Sequence, residues 1–339
     1  MLHHLTSRKL TVFAHSIVDN PWRLNCKNLA DLERDIRRNL GRIPRNVDLV
    51  VGVPRSGMLP ATILSQLLNA PLATLDEYLS GTISSTGNRP INKSAGGLTL
   101  IVDDSVCSGQ EMRRVRKRVN DARKSNVVYS CVYGTDGSNA GTDIELERVR
   151  HPRIFSWNIM NSWILEHACC DIDGVLCVDP TDSQNDDSQC YQEFVDTVEP
   201  LNLPLVRIRR LVTCRLEKYR RATEHWLGDH NILFDNLVMA DGITATERRN
   251  AKKFNHAEFK ARVYKQDDDA VMFIESCPNQ AHSIARLSGK WVFCFTTGEF
   301  IAPSFLRYQT RGTLHVARRI GRKLTAPQQT LRQLIQYVR

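Results

Sequence analysis

The chain reads as an α/β protein: two doubly wound parallel-sheet domains followed by a basic helical tail. Three observations predict this. Apolar runs alternate with amphipathic stretches along the 339 residues, the pattern of strand–helix units that build parallel sheets. Two of those runs, LTLIVDDSVCSG at Leu98–Gly109 and HACCDIDGVL at His167–Leu176, end in paired carboxylates. In open parallel sheets the ligand-binding groups gather at strand carboxyl ends. The length suits two domains of ordinary size. Residues 1–162 are expected to form the first domain, 163–300 the second and 301–339 the tail, with the boundary near Asn161–His167.

The elements follow in order. Residues 28–41 are patterned as an amphipathic helix leading to a buried strand at Asp48. That strand runs into DLVVGVPRSGMLP, Asp48–Pro60, whose loop holds Arg55, Ser56 and Gly57. Tyr78–Gly97 is rich in Gly, Ser, Thr and Asn and carries Arg89 and Lys93. The Leu98 strand reaches Asp103 and Asp104, turns through Ser105, Val106, Cys107, Ser108 and Gly109, and enters a helix over Gln110–Asp121. GTDGSNAGT, Gly134–Thr142, is a loop inside the first domain, and the chain recovers through IELERV and HPRIFSWNIM.

Composition bounds the class. At 42% hydrophobic and 24% charged residues, with no apolar stretch near the ~20 residues of a membrane span, the chain is expected to be soluble and cytoplasmic. The start, MLHHLTSRKL, lacks the apolar core of a signal peptide. Ten cysteines are scattered without CxxC pairs; Cys131, Cys169 and Cys294 fall in predicted strands and read as buried thiols of a reducing compartment.

Adjacent acids at a strand end can hold sugar hydroxyls and a hydrated magnesium ion. The N–H groups of the following turn, ahead of a helix, can cradle a phosphate. A site that grips a ribose and its 5-phosphate together points to a phosphoribosyl group. Over roughly residues 45–135 the order of loops resembles the type I phosphoribosyltransferases, enzymes that use phosphoribosyl pyrophosphate (PRPP). The resemblance implies that Asp103 and Asp104 bind the ribose and help place Mg²⁺, and that Ser105–Gly109 bind the 5-phosphate. Arg55, Ser56 and Gly57, with Lys93 from a hood loop over 78–97, would bind pyrophosphate. Purine-salvage members carry an Asp where this chain has Cys107, so the resemblance names no acceptor. Members of this kind often pair, so the resemblance allows a homodimer without fixing the oligomer.

The second acid-ended strand resembles motif one of the haloacid dehalogenase (HAD) superfamily, Asp-x-Asp-Gly. The resemblance implies a Rossmann-like fold, a nucleophilic Asp171 that takes a phosphoryl group, and Asp173 as its proton donor and acceptor, with Gly174 permitting the turn. LVTCR, Leu211–Arg215, supplies Thr213 for the phosphoryl oxygens. Lys260 in HAEFKARVYK is preferred over Lys252 and Lys253 as the charge-stabilising lysine. Glu275, ending VMFIES, would place Mg²⁺ with Asp171 and Asp173. Ser276 and Asn279 stand where members carry a further acid. About forty residues separate Asp173 from the Thr213 strand, enough for only a minimal cap. This insert opens with Asp179, Asp182, Asp186 and Asp187, read as an acidic surface loop or, alternatively, as a loop that shields or selects substrate.

The tail holds eight Lys and Arg and no acid, all but one of the net +9. Thr325, Ala326 and Pro327 mark a helix start, with Leu331, Leu334, Ile335 and Val338 at helical spacing. Arg318, Arg319, Arg322 and Lys323 could face an anionic partner, nucleic acid among them. The expected function is bifunctional: transfer of 5-phosphoribosyl from PRPP to a small-molecule acceptor, and hydrolysis of a phosphorylated substrate. The alternatives are a PRPP- or nucleotide-sensing regulator that binds nucleic acid, and a phosphatase whose transferase domain only binds substrate.

Overall fold

The computed structural model describes residues 24–82, 97–135, 141–186, 188–243, 246–247 and 254–303. Several expectations therefore lie outside the described residues: Arg89 and Lys93 with most of the hood loop, Asp187, Lys252 and Lys253, and the tail from residue 304 onward. The chain divides into two compact units, Met1–Ser162 and Trp163–Arg339.

The first unit opens with β1 (Asn25–Lys27) and α1 (Leu29–Asn39). Asn28 and Asp31 build the start of α1 as a reciprocal cap, each side chain accepting the other's backbone N–H. Then come β2 (Val47–Gly52), α2 (Met58–Leu68), β3 (Leu72–Thr74), α3 (Leu75–Ser80) and β4 (Leu98–Ser105). The unit continues through α4 (Gln110–Asp121), β5 (Val127–Gly134), β6 (Ile144–Arg148) and β7 (Arg153–Phe155). Five strands pair in the order β3-β2-β4-β5-β6, all parallel, while β7 pairs β1 in a separate two-stranded ribbon.

The near-continuous apolar runs of β2 and β4 follow from burial on both faces. Val50, Leu100 and Val102 enter one core with Leu32 and Ile36 of α1 and Ala61 and Leu64 of α2. Val51 and Ile101, one residue out of step, enter the other with Met112, Val115 and Val119 of α4. After β2 the chain turns outward to β3, then returns on the other side as β4. The crevice at the carboxyl ends of β2 and β4 is thus the switch point of this sheet, where open α/β sheets bind ligands.

The second unit holds β8 (Ala168–Cys170), α5 (Gln189–Thr197), β9 (Ile208–Leu216), α6 (Arg220–Asp229) and β10 (Phe234–Ala240). It ends with α7 (His256–Lys265), β11 (Met272–Glu275), α8 (Pro278–Ser288), β12 (Trp291–Cys294) and β13 (Glu299–Ile301). The strand order is β10-β9-β8-β11-β12-β13, parallel except for β12–β13. Its switch point lies between β8 and β11. Helices α7 and α8 cover one face through Phe259, Tyr264, Ala281 and Ile284. A boundary at residue 300 falls inside β13, whose Ile301 pairs with Val292. Among the described residues no helix is long and apolar enough to cross a membrane. All ten cysteines are free thiols, and Cys131, Cys169 and Cys294 are buried.

Candidate functional site

In the first unit, Asp103 and Asp104 end β4 at 9% and 4% exposure. Asp104 is held from three sides. Its Oδ1 accepts Ser56 Oγ at 2.9 Å, its Oδ2 accepts Trp157 Nε1 at 2.7 Å, and its backbone N–H donates to Asp103 Oδ1 at 2.9 Å. Burial, joined by the Asp104 charge, pushes the Asp103 carboxyl up to about 8. Two carboxylates so close and so dry call for hydroxyl donors or a cation.

The Ser56 loop reaches these acids because Gly57 has no side chain. A Cβ there would sit 2.5 Å from the Val53 carbonyl and 2.9 Å from Asp103 Oδ1. Arg55 is exposed at the rim. In the following turn Val106 is buried and its N–H donates to the Tyr133 carbonyl at 3.0 Å, so that amide is unavailable to a ligand. The turn instead offers the amides of Cys107, Ser108 and Gly109. Cys107 Sγ lies 3.3 Å from His151 Nε2. The buried Arg153 donates to the Tyr133 and Gly134 carbonyls. Burial and then the Arg153 charge hold the His151 imidazole below its ordinary range.

Trp157, His151 and Arg153 were missed by motif reading, because no spacing rule links them to β4. Their signal is HPRIFSW, aromatics and a cation following the last strand of the domain. Trp157 stacks on Phe155, and Phe155 on Tyr133, with centroids 4.8 and 5.4 Å apart.

In the second unit Asp171 follows β8 at 5% exposure, its N–H donating to the Ile274 carbonyl of β11. Its Oδ1 accepts the Ile172 N–H at 2.9 Å, and its Oδ2 accepts Lys260 Nζ at 2.5 Å. The same ammonium donates to Glu275 Oε2 at 2.8 Å and Gln280 Oε1 at 3.0 Å. Burial pushes Asp171 up to about 7 against the downward pull of Lys260. Burial lowers Lys260 in turn, but the Asp171 and Glu275 charges outweigh it and hold the lysine above its usual range. Gly174 turns the chain at φ +74°, and a Cβ there would strike Ser276 Oγ at 2.3 Å.

Asp171, Asp173, Lys260, Glu275 and Ser276 line one cleft of about 480 Å³. Asp179 lines it too, so the first acid of the insert is both exposed and part of the cleft wall; Asp182 is exposed as well. Thr213 is fully buried, its Oγ1 accepting the Arg215 N–H at 3.2 Å, and Cys214 takes its place in the cleft wall. Oγ1 accepts that one backbone N–H and keeps its own hydroxyl proton, but the side chain stands behind the cleft wall rather than in it.

The magnesium expectation divides. Among the described residues no three His, Cys, Asp or Glu side chains gather as a cage for a metal. Asp103 and Asp104 fit the usual Mg²⁺ arrangement of one or two carboxylates completed by substrate phosphates. Asp171, Asp173 and Glu275 do not fit as one ligand set. Lys260 bridges the first and third, and Arg215 Nη2 takes Asp173 at 2.6 Å.

Residues 20–149 match the family profile described as phosphoribosyl transferase domain. Among solved structures, the chain is similar to a purine phosphoribosyltransferase from Pyrococcus horikoshii at 20% identity, over 40% of this chain and 93% of that one, with a TM-score of 0.31. It is also similar to the xanthine-guanine-hypoxanthine phosphoribosyltransferase of Helicobacter pylori at 16% identity, over 40% and 95%, with a TM-score of 0.32. No curated protein matches the chain. Residues 20–149 are a phosphoribosyl transferase domain.

Proposed function

We propose that the chain is a bifunctional enzyme. Its first unit transfers 5-phosphoribosyl from PRPP to a small acceptor, and its second hydrolyses a phosphomonoester, the ribosyl-5-phosphate product being the simplest candidate. The observation that carries the transferase half is the Ser56–Asp104 hydrogen bond, which joins the loop after β2 to the acids after β4. Asp103 and Asp104 hold the ribose hydroxyls, and the Cys107–Gly109 amides with Ser108 hold the 5-phosphate. Arg55 and Ser56, with Lys93, hold the pyrophosphate. The bond from the anomeric carbon to the pyrophosphate oxygen breaks while the acceptor's lone pair forms the new bond, and Arg55 offsets charge on the departing oxygen. Magnesium bound with PRPP supplies further neutralisation of the pyrophosphate.

The phosphohydrolase half rests on the Lys260 bridge between Asp171 and Glu275. Asp171 attacks the phosphorus and Lys260 offsets the charge of the phosphoaspartate. Asp173 gives a proton to the leaving oxygen and later takes one from the hydrolytic water.

The test is pyrophosphate release from PRPP and magnesium against a panel of bases and small amines, run on the full chain and on Asp103→Asn/Asp104→Asn. Release that needs one acceptor and disappears in the variant supports the transferase. Its product is then offered to wild type and Asp171→Asn. Tight PRPP binding with no release for any acceptor would overturn the transferase reading. A product that wild type and Asp171→Asn leave equally intact would remove the coupling.

A further inference from the structure

We infer that Arg215 is the positioning residue for Asp173, fixing one carboxylate oxygen so that the other serves as the proton-carrying oxygen of the Asp171 cleft. The inference rests on the phosphohydrolase reading and deepens it. Arg215 lies two residues beyond the motif threonine, in LVTCR, and it is fully buried. A guanidinium taken out of water at a strand end needs partners on every side, and each partner here fixes its direction. Nη1 donates to Thr223 Oγ1 of α6 at 3.3 Å, Nη2 donates to Cys177 Sγ at 3.3 Å, and the plane lies 5.9 Å from the Phe194 ring of α5. Three separate elements thus clamp the cation before it meets Asp173.

The contact with Asp173 is lopsided. Oδ1 accepts Nη2 at 2.6 Å and Nε at 3.2 Å, and Cys177 Sγ approaches the same oxygen at 3.5 Å. Oδ2 receives only the longer Nε contact at 3.3 Å. Oδ1 is therefore saturated and Oδ2 keeps open lone-pair capacity. The Asp173 side chain is 18% exposed and lines the cleft, so the carboxylate is open to the site while Arg215 occupies Oδ1 most closely. The proton follows from this. As Asp171 bonds to phosphorus and the ester P–O bond breaks, Oδ2 delivers its proton to the leaving oxygen. It recovers one from the water that then attacks the phosphoaspartate. Lysine could replace the charge but not the two-point grip, because its ammonium lacks the planar fork.

Leaving-group dependence separates this role from a merely structural one. Full-length wild type, Arg215→Met and Arg215→Lys are compared on phenyl phosphate, whose leaving group needs a proton, and dinitrophenyl phosphate, whose leaving group does not. The ratio of the two kcat/KM values is independent of how much enzyme is folded. Arg215→Met is expected to lower kcat/KM for phenyl phosphate by about a hundredfold, the usual scale of a lost general acid, and for dinitrophenyl phosphate by less than about threefold. The loss falls on kcat with KM little changed, and Arg215→Lys recovers part of it. A ratio unchanged in both variants overturns the inference and leaves the phosphohydrolase reading standing. No Asp171-dependent turnover of either ester by wild type overturns that reading and the inference together.

Discussion

The indole Nε1 of Trp157 donates to Asp104 Oδ2 at 2.7 Å, tying the segment after the last strand of the first unit to the acids of β4. The ring is held by its stack on Phe155, which rests on Tyr133, so the donor arrives pre-aimed. With Ser56 on the other oxygen, Asp104 has both lone-pair faces directed before any sugar binds.

Trp157→Phe keeps the stack and removes the donor. A hydrogen bond to a charged group contributes about 1.5–3 kcal/mol, so PRPP affinity should fall by roughly tenfold to a hundredfold. Calorimetric titration with PRPP and magnesium measures this. Unchanged affinity would mean that Ser56 alone orients the carboxylate.

Asp103 makes stability depend on pH in a set direction. Its folded-state carboxyl titrates near 8, far above the ordinary carboxylate range. Between those limits the native chain binds a proton that the unfolded chain releases, so stability falls as pH rises through that window. One such proton is worth up to about 1.4 kcal/mol per pH unit. Asp103→Asn removes the titration. Its urea midpoint should vary less with pH than that of wild type, and its advantage should widen toward alkaline pH. Parallel pH profiles would show that Asp103 is not the proton-binding group.

Much of both sites was legible because strand carboxyl ends are written in the sequence as apolar runs followed by acids. Asp103, Asp104, Asp171 and Glu275 all stand where such runs end, and Lys260 was found from its distance to the final strand. Gly57 could be read as a close approach, though not which atoms it approaches. Side-chain direction was not legible. Thr213 and Asp179 fit their patterns equally well as cleft residue and as bystander, and only packing buried the first and set the second on the cleft wall. Trp157 and Arg153 reach Asp104 and the Tyr133 carbonyl across the sheet. Such contacts depend on where a chain returns in space, which local patterning does not encode.

Two exposed thiols offer an internal comparison. Cys107 lies 3.3 Å from His151 Nε2, with no carboxylate among the partners of its thiol in the described residues. Cys190 sits beside Asp186, whose charge pushes that thiol upward. Thiolate is the reactive form, so iodoacetamide should label Cys107 faster than Cys190. If that turn holds the 5-phosphate as proposed, saturating PRPP should slow the labelling of Cys107 alone. Peptide mapping by mass spectrometry reads both rates. Equal rates, or equal protection of the two cysteines by PRPP, would detach Cys107 from the ligand-binding turn.

Lys260 serves two buried acids with one ammonium, and its removal should be felt in stability as well as in activity. At 2% exposure it faces Asp171 and Glu275, both themselves largely withdrawn from solvent. Breaking a buried ion pair by deleting one partner costs about 3–5 kcal/mol, since the surviving charge stays buried. Lys260→Met should therefore lower the urea midpoint strongly, and Lys260→Met/Glu275→Gln should recover part of the loss by removing one of the two orphaned charges. The loss should also grow as pH rises. A raised carboxyl is tolerated while protonated, and Asp171, already near 7 with the lysine present, moves higher without it. A pH-independent loss, or a double variant no more stable than Lys260→Met, would show that the ammonium neutralises neither acid and that the Asp171 cleft is organised by another group.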